Sequence, residues 1–147
     1  LGRQGQGCLG ARRAVRSVGV GWGELADEVE AGRLRAGATC VLAPDSGTPG
    51  WLAFYLPKGT CVAQQGQRIR WINMGEPSPA QLSGKLLYVH EVEQEMPASV
   101  RDNFAHVETV AEVKRLRGPL VIETYALDLL DGAKGEVFDR SPPPELQ

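Results

Sequence analysis

The chain has 147 residues and a mass of 15.9 kDa, with 42% hydrophobic residues. That suffices for one domain whose folding buries roughly two-thirds of the surface of the open chain. Its 16 basic and 18 acidic residues leave a formal charge of -2 and a pI near 5.7. This balance argues against nucleic acid as a main partner, because neutralising phosphates needs a surplus of Lys and Arg. The longest apolar run, Trp51 to Leu56, is far short of the roughly 20 residues that a bilayer span requires.

Residues 1–23 hold Arg3, Arg12, Arg13 and Arg16 and no acid, a local charge of +4 that leaves -6 on the rest. Glycine-rich and without apolar periodicity, residues 1–20 read as a flexible basic leader. The chain starts with Leu1 rather than Met, as a cleaved product or a fragment would, and it lacks the apolar core of a secretory signal. A single α/β domain is expected over 21–135, and a Pro-rich tail over 136–147.

Trp22, Leu25, Ala26 and Val29 recur at i, i+3, i+4 and i+7, the apolar stripe of a helix. Glu24, Asp27 and Glu28 lie early and Arg33 and Arg35 late, which suits the helix dipole. Gly32 weakens its second half and Gly37 ends it. Residues 39–43 read as a buried strand, bounded by Gly37 and Pro44. Thr48 then has the form of an N-cap with Pro49 as the first helical residue, and the helix runs from Gly50 to Leu56, stopping at Pro57. Residues 61–64 read as a second strand, so the three elements make a βαβ unit with parallel strands.

Residues 68–73 suggest a brief edge strand, Pro77-Ser78-Pro79 a rigid turn, 86–90 a third strand and 97–103 a short helix. Runs over 106–116 and 120–130 flank a Gly-Pro turn and predict an antiparallel hairpin. In the first, Val107, Thr109, Ala111 and Val113 alternate onto one side. In the second, Val121, Glu123, Tyr125, Leu127 and Leu129 alternate against Ile122, Thr124, Ala126 and Leu130. The expected fold is a small, three-layer-like α/β domain with a short parallel βαβ core closed by the hairpin.

Cys8, Cys40 and Cys61 show no CxxC spacing, so no metal site is expected. Cys40 and Cys61 lie in apolar runs and read as small buried hydrophobes. If their strands are neighbours and the compartment is oxidising, they can form a disulfide. Asp45, Ser46, Gly47 and Thr48 precede a helix amino end at the carboxyl end of a strand, a position that favours anions, although the Gly-Lys-Thr ending of a P-loop is missing. Trp51, Tyr55 and Trp71 offer faces on which a sugar ring can stack, against the ordinary reading of aromatics as core. His90 and His106 fall on different elements and read as surface or hydrogen-bonded residues. Glu91, Glu93 and Glu95 alternate as a solvated face. No Ser, Cys or Thr has a recognisable base beside it, so these constellations identify no reaction and imply no cofactor.

Three ordered segments resemble the C-terminal domain of bacterial glycosyltransferases of the dolichyl-phosphate-mannose mannosyltransferase type, the superfamily that includes lipid A aminoarabinose transferases. They are Gly21-Trp22-x-Glu24-Leu25 with Val29; Val41-Leu42-Ala43-x-Asp45 followed by Leu52-Ala53-Phe54-Tyr55-Leu56-Pro57 and Arg70-Trp71; and Leu87-Tyr88-Val89 with Asn103-Phe104-x-His106-Val107 and Thr124-Tyr125. Ser46 departs from the pattern, where an aromatic is expected, as does Trp51, where a polar residue is expected. The resemblance implies a polytopic membrane enzyme that moves sugar from a polyprenyl-phosphate donor on the extracytoplasmic side of a bacterial membrane. The family's catalytic aspartate lies in an early loop that has no counterpart here, so no residue inherits that role, Asp45 included. This chain would then be a soluble extracytoplasmic accessory domain, inactive alone. Its expected partners are the membrane-embedded remainder of the enzyme and a lipid-linked sugar or acceptor, with no nucleic acid. A basic leader fits a junction with headgroups, though such flanks are commoner on the cytoplasmic side. The alternatives are an independent module binding a sugar or anion at Asp45–Thr48, and an interaction domain that lends its hairpin edge to a partner sheet.

Overall fold

The computed structural model describes residues 20–44, 47–66 and 76–139. The chain is mixed α/β, built on a five-stranded sheet of order β2-β1-β3-β5-β4. The first helix, α1 (Trp22–Ala36), covers the predicted span and buries Trp22, Leu25, Ala26 and Val29. Gly37 ends it with φ 69°, and its N–H and that of Ala38 return to the carbonyls of Leu34 and Arg33. This is the left-handed cap that glycine alone adopts without strain.

Strand β1 (Cys40–Ala43) is buried throughout and leads to α2 (Gly47–Tyr55) and then β2 (Val62–Gln64). Helix α2 starts earlier than expected: Thr48 and Pro49 lie inside its first turn rather than at its cap. Strand β1 pairs in parallel with β2, setting Val41 opposite Val62, and with β3 (Leu86–Glu91), setting Val41 opposite Leu87. The βαβ unit therefore forms as expected, with the third strand on the other side of β1. Between β2 and β3, Pro77-Ser78-Pro79 does more than turn the chain. Ser78 Oγ accepts from Gln81 N–H and Gln81 Oε1 accepts from Ser78 N–H, a capping box that opens the one-turn helix α3 (Pro79–Leu82). The helix expected near 97–103 is also a single turn, α4 (Ala98–Arg101).

The hairpin consists of β4 (Phe104–Arg117) and β5 (Leu120–Ala133), each longer than its sequence signal and joined through Gly118 at φ 58°. Strand β5 pairs antiparallel with β3, from Leu86–Leu130 to Glu91–Tyr125, and so binds the hairpin to the parallel part.

Two apolar clusters fill the two faces of the sheet. On one, Trp22, Leu25, Val29, Leu52 and Leu56 of the helices meet Val41, Leu87, Val89, Val113, Tyr125 and Leu127. On the other, Cys40, Leu42, Leu86, Tyr88 and Leu130 are covered by Met96, Val100, Phe104, Val137 and Phe138. Residues 137–139, which the sequence places in the tail, lie against this second face, and Asp139 N–H donates to the Gln65 carbonyl.

The β4 stripe corrects the simple alternation. Val107 pairs with Leu130 and Thr109 with Asp128, but Ala111 pairs with Leu127, so Val110 is an extra residue. This bulge shifts the period by one. Val107 packs on the second face and Ala111 and Val113 on the first, although all stand at alternate positions in sequence.

The segment 67–75, which includes the expected edge strand, and the leader up to residue 19 lie outside the described residues, as does the tail from residue 140. No described helix is long and apolar enough to cross a membrane.

Candidate functional site

Of the residues singled out in the sequence, Gly47, Thr48, Trp51 and Tyr55 share helix α2, whereas Asp45, Ser46 and Trp71 lie outside the described residues. Gly47 is exposed and Thr48 buried, at the amino end of a nine-residue helix. That end follows the carboxyl end of β1, the inner strand of the parallel set. The connection to β2 carries α2, whose Leu52 packs on the first face. The connection to β3 carries α3, whose Leu82 packs on the second. Strands β1 and β3, adjacent and followed by chain that departs in opposite directions, make a topological switch point. Open α/β sheets bind ligands at the carboxyl ends of such strands.

The aromatic residues of α2 form a ladder that continues into α1. Trp51 stacks on Trp22 with centroids 6.0 Å apart and planes 9° from parallel, and on Tyr55 at 6.2 Å and 20°. Phe54 meets Tyr55 edge-on at 4.9 Å. At the inner end Trp22 also packs on Tyr125, and the Arg115 guanidinium lies 5.0 Å from the Trp22 ring centre. Burial falls along this ladder: Trp22 is 5% exposed, Tyr55 39% and Phe54 77%. Trp51 thus belongs to the core edge, while Tyr55 and Phe54 present their rings to solvent.

A buried polar cluster around His90 is one that sequence reasoning missed in part. His90 is buried, and its Nε2 lies 2.7 Å from Asp128 Oδ2. Its Nδ1 is 2.9 Å from the Glu91 carbonyl and 2.7 Å from that of Gln94. Thr109 Oγ1 donates to Asp128 Oδ1 at 2.7 Å. Every partner of the ring is an acceptor, so both nitrogens donate and His90 is an imidazolium facing a carboxylate. The hydrogen bond to Asp128 raises the His90 pKa above its ordinary value; burial opposes this, and the charge of Asp128 and the two carbonyls add to it. For Asp128, burial alone would raise the pKa, but the hydrogen bonds from His90 and Thr109 and the charge of His90 outweigh it and the carboxyl titrates low. With both ring nitrogens engaged, His90 has none to offer a nucleophile or a metal. The pair fixes the loop after β3 to the hairpin.

Asp128 was missed in the sequence: it falls between Ala126 and Leu130 on one face of an inner strand, and a lone acid inside an apolar alternation is the signal that could have located it. His106, by contrast, pairs with Glu108 at 3.0 Å on the exposed edge strand. Glu93 and Glu95 are exposed.

Cys40 and Cys61 form a disulfide, with Cα atoms 4.6 Å apart, just ahead of the first β1–β2 pair, Val41–Val62. The open alternative of the sequence is therefore the one realised. Among the described residues, no group of three or more His, Cys, Asp or Glu side chains has the arrangement to hold a metal ion. Compared with protein-family models, characterised proteins and solved structures, the chain matches none.

Proposed function

We propose that this chain is the extracytoplasmic accessory domain of a membrane glycosyltransferase that uses a polyprenyl-phosphate-linked sugar, and that it carries no catalytic group of its own. The observation that carries the reading is the Cys40–Cys61 disulfide between neighbouring strands. Such cystines persist in oxidising compartments and are rare in the cytosol. The three segments behind the resemblance also meet in one core. Trp22, Leu25 and Val29 come from the first, Val41, Leu52 and Leu56 from the second, and Leu87, Val89 and Tyr125 from the third. In this reading the domain covers the membrane-embedded active site or helps to receive the acceptor. The exposed Phe54 and Tyr55 rings are available for that contact.

The test is topological. The gene product is expressed with its native upstream sequence and a reporter fused after Gln147, one version active only outside the cytoplasm and one only within. Membrane fractionation with an active extracytoplasmic reporter is expected. A cytoplasmic reporter, or upstream sequence lacking apolar stretches of roughly 20 residues, would overturn the proposal.

The switch point between β1 and β3 favours one second reading, an independent module that binds a phosphosugar at the Asp45–Thr48 loop. It predicts saturable amide shifts of Gly47, Thr48 and Gly50 on titration with phosphosugars. Unmoved amides at ligand concentrations on the order of millimolar remove it.

A further inference from the structure

We infer that the groove between the amino end of α1, Tyr55 and the β4–β5 turn binds the ring of an uncharged pyranose. The groove has a volume of about 330 Å³ and is lined by Gly21, Gly23, Glu24, Tyr55, Leu116 and Gly118. That volume is at the lower end of small-molecule sites, which begin near about 300 Å³.

Each part of the lining narrows the ligand class. Tyr55 supplies an aromatic wall whose Cδ1–Cε1 side lies beside Gly23, and it is held in place because it stacks on Trp51, which stacks in turn on the buried Trp22. An aromatic face fixed in advance favours a ring that presents C–H bonds and adds little ordering cost on binding. The floor is backbone. Gly21 has φ 81°, and a Cβ there would fall 2.5 Å from the Leu116 carbonyl oxygen and 2.8 Å from Arg115 Cγ, so residue 21 itself leaves that end open as backbone. Among the described residues Glu24 is the one charged side chain in the lining; it is exposed and makes no hydrogen bond or ion pair with them. Its carboxylate accepts from hydroxyl groups and repels phosphates and carboxylates. Arg115 keeps its positive charge but is not part of this lining: its guanidinium donates to the Val20 carbonyl and lies over Trp22. A flat C–H face, hydroxyl donors and no negative charge together describe a neutral sugar ring.

This deepens the proposed function by placing a sugar subsite on the domain, and it rests on that reading only for the origin of the sugar. The test follows the amides of Gly21, Gly23 and Gly118 by NMR in the full 147-residue chain during titration with methyl mannoside, methyl glucoside and glucuronate. Saturable shifts with a Kd on the order of millimolar are expected for at least one neutral glycoside, with glucuronate weaker. Tyr55→Ala should weaken binding about tenfold, Tyr55→Phe should preserve it, and Glu24→Gln should weaken it severalfold. Tryptophan fluorescence checks that the variants stay folded. No saturable shift with either glycoside, preference for glucuronate, or unchanged binding by folded Tyr55→Ala would overturn the inference. A cytoplasmic reporter in the topology experiment would leave the groove standing, and absent sugar shifts would leave the topology standing.

Discussion

His90 and Asp128 form a buried ion pair across the β3–β5 ladder, Nε2 to Oδ2 at 2.7 Å, with side chains 9% and 7% exposed. Asp128 stands opposite Tyr88 on one side and Thr109 on the other, so His90 reaches it diagonally while Thr109 reaches it directly. The network ties together β3, β5, β4 and the loop to Gln94, which makes it the polar counterpart of the second apolar cluster.

Its pH dependence has two signs. The His90 pKa is raised, so the stability from its protonated form is fully present below about pH 6.5, the unfolded value, and is lost as pH rises through the folded value. The Asp128 pKa is lowered, so its contribution is present above about pH 3.9 and is lost as pH falls through the folded value. Thermal melts should show a plateau between these limits, and His90→Gln should remove the decline on the alkaline side. Asp128→Ala, which leaves a buried imidazolium unpaired, should cost about 3 kcal/mol near neutral pH. A melting temperature that is flat through the alkaline limb, or a neutral His90 tautomer in ¹⁵N spectra at pH about 6, would contradict the assignment.

The disulfide closes a loop of 21 residues that contains α2. Chain entropy assigns such a cross-link about 3 kcal/mol of stabilisation. Reduction, or paired Cys40→Ala and Cys61→Ala substitution in a Cys8→Ser background, should lower Tm by roughly 10 °C. Maleimide labelling of the unreduced Cys8→Ser chain after denaturation should find no thiol. Two labelled thiols there would show that the strands are not cross-linked.

The parallel core and the hairpin were legible because β1, β3 and β5 are apolar runs bounded by Gly and Pro, and local signals suffice for buried strands. The second half of β4 was not. The bulge at Val110 depends on the register against β5, a long-range fact with no local signature beyond a Val that breaks no rule. The capping box at Ser78 was present as Ser-x-x-Gln and was hidden by its two prolines. At the candidate site, the aromatic ladder follows from the i, i+4 spacing of Trp51 and Tyr55, but its inner rung is Trp22 on another helix. Sequence periodicity brings residues to a helix face and says nothing of which face it meets.

Gly32 illustrates the same point energetically. By propensity Ala would improve the middle of α1 by up to about 1 kcal/mol. A Cβ at this position, however, would lie 2.8 Å from Leu127 Cδ1, in the fully buried core where the helix crosses the sheet. Overpacking at such a contact costs about 1–3 kcal/mol, so Gly32→Ala should be net destabilising by about 1 kcal/mol in urea melts. A stabilised Gly32→Ala would mean that α1 stands farther from β5 than this contact implies.

Leu52 and Phe54 make the sharpest contrast within one segment. They are two residues apart on α2, yet Leu52 is fully buried against the first face and Phe54 is 77% exposed. Leu52→Ala should cost about 3 kcal/mol, because it would open a cavity in the first apolar cluster, which Leu52 shares with Trp22, Val41 and Leu56. Phe54→Ser should change stability by less than about 0.5 kcal/mol, since it removes one edge contact with Tyr55 and little buried surface. The same substitution removes the most exposed aromatic ring among the described residues, so under the proposed function a loss of assembly with a membrane partner would occur without loss of fold. Equal destabilisation by the two variants would place Phe54 inside a packed interface that the isolated chain already forms.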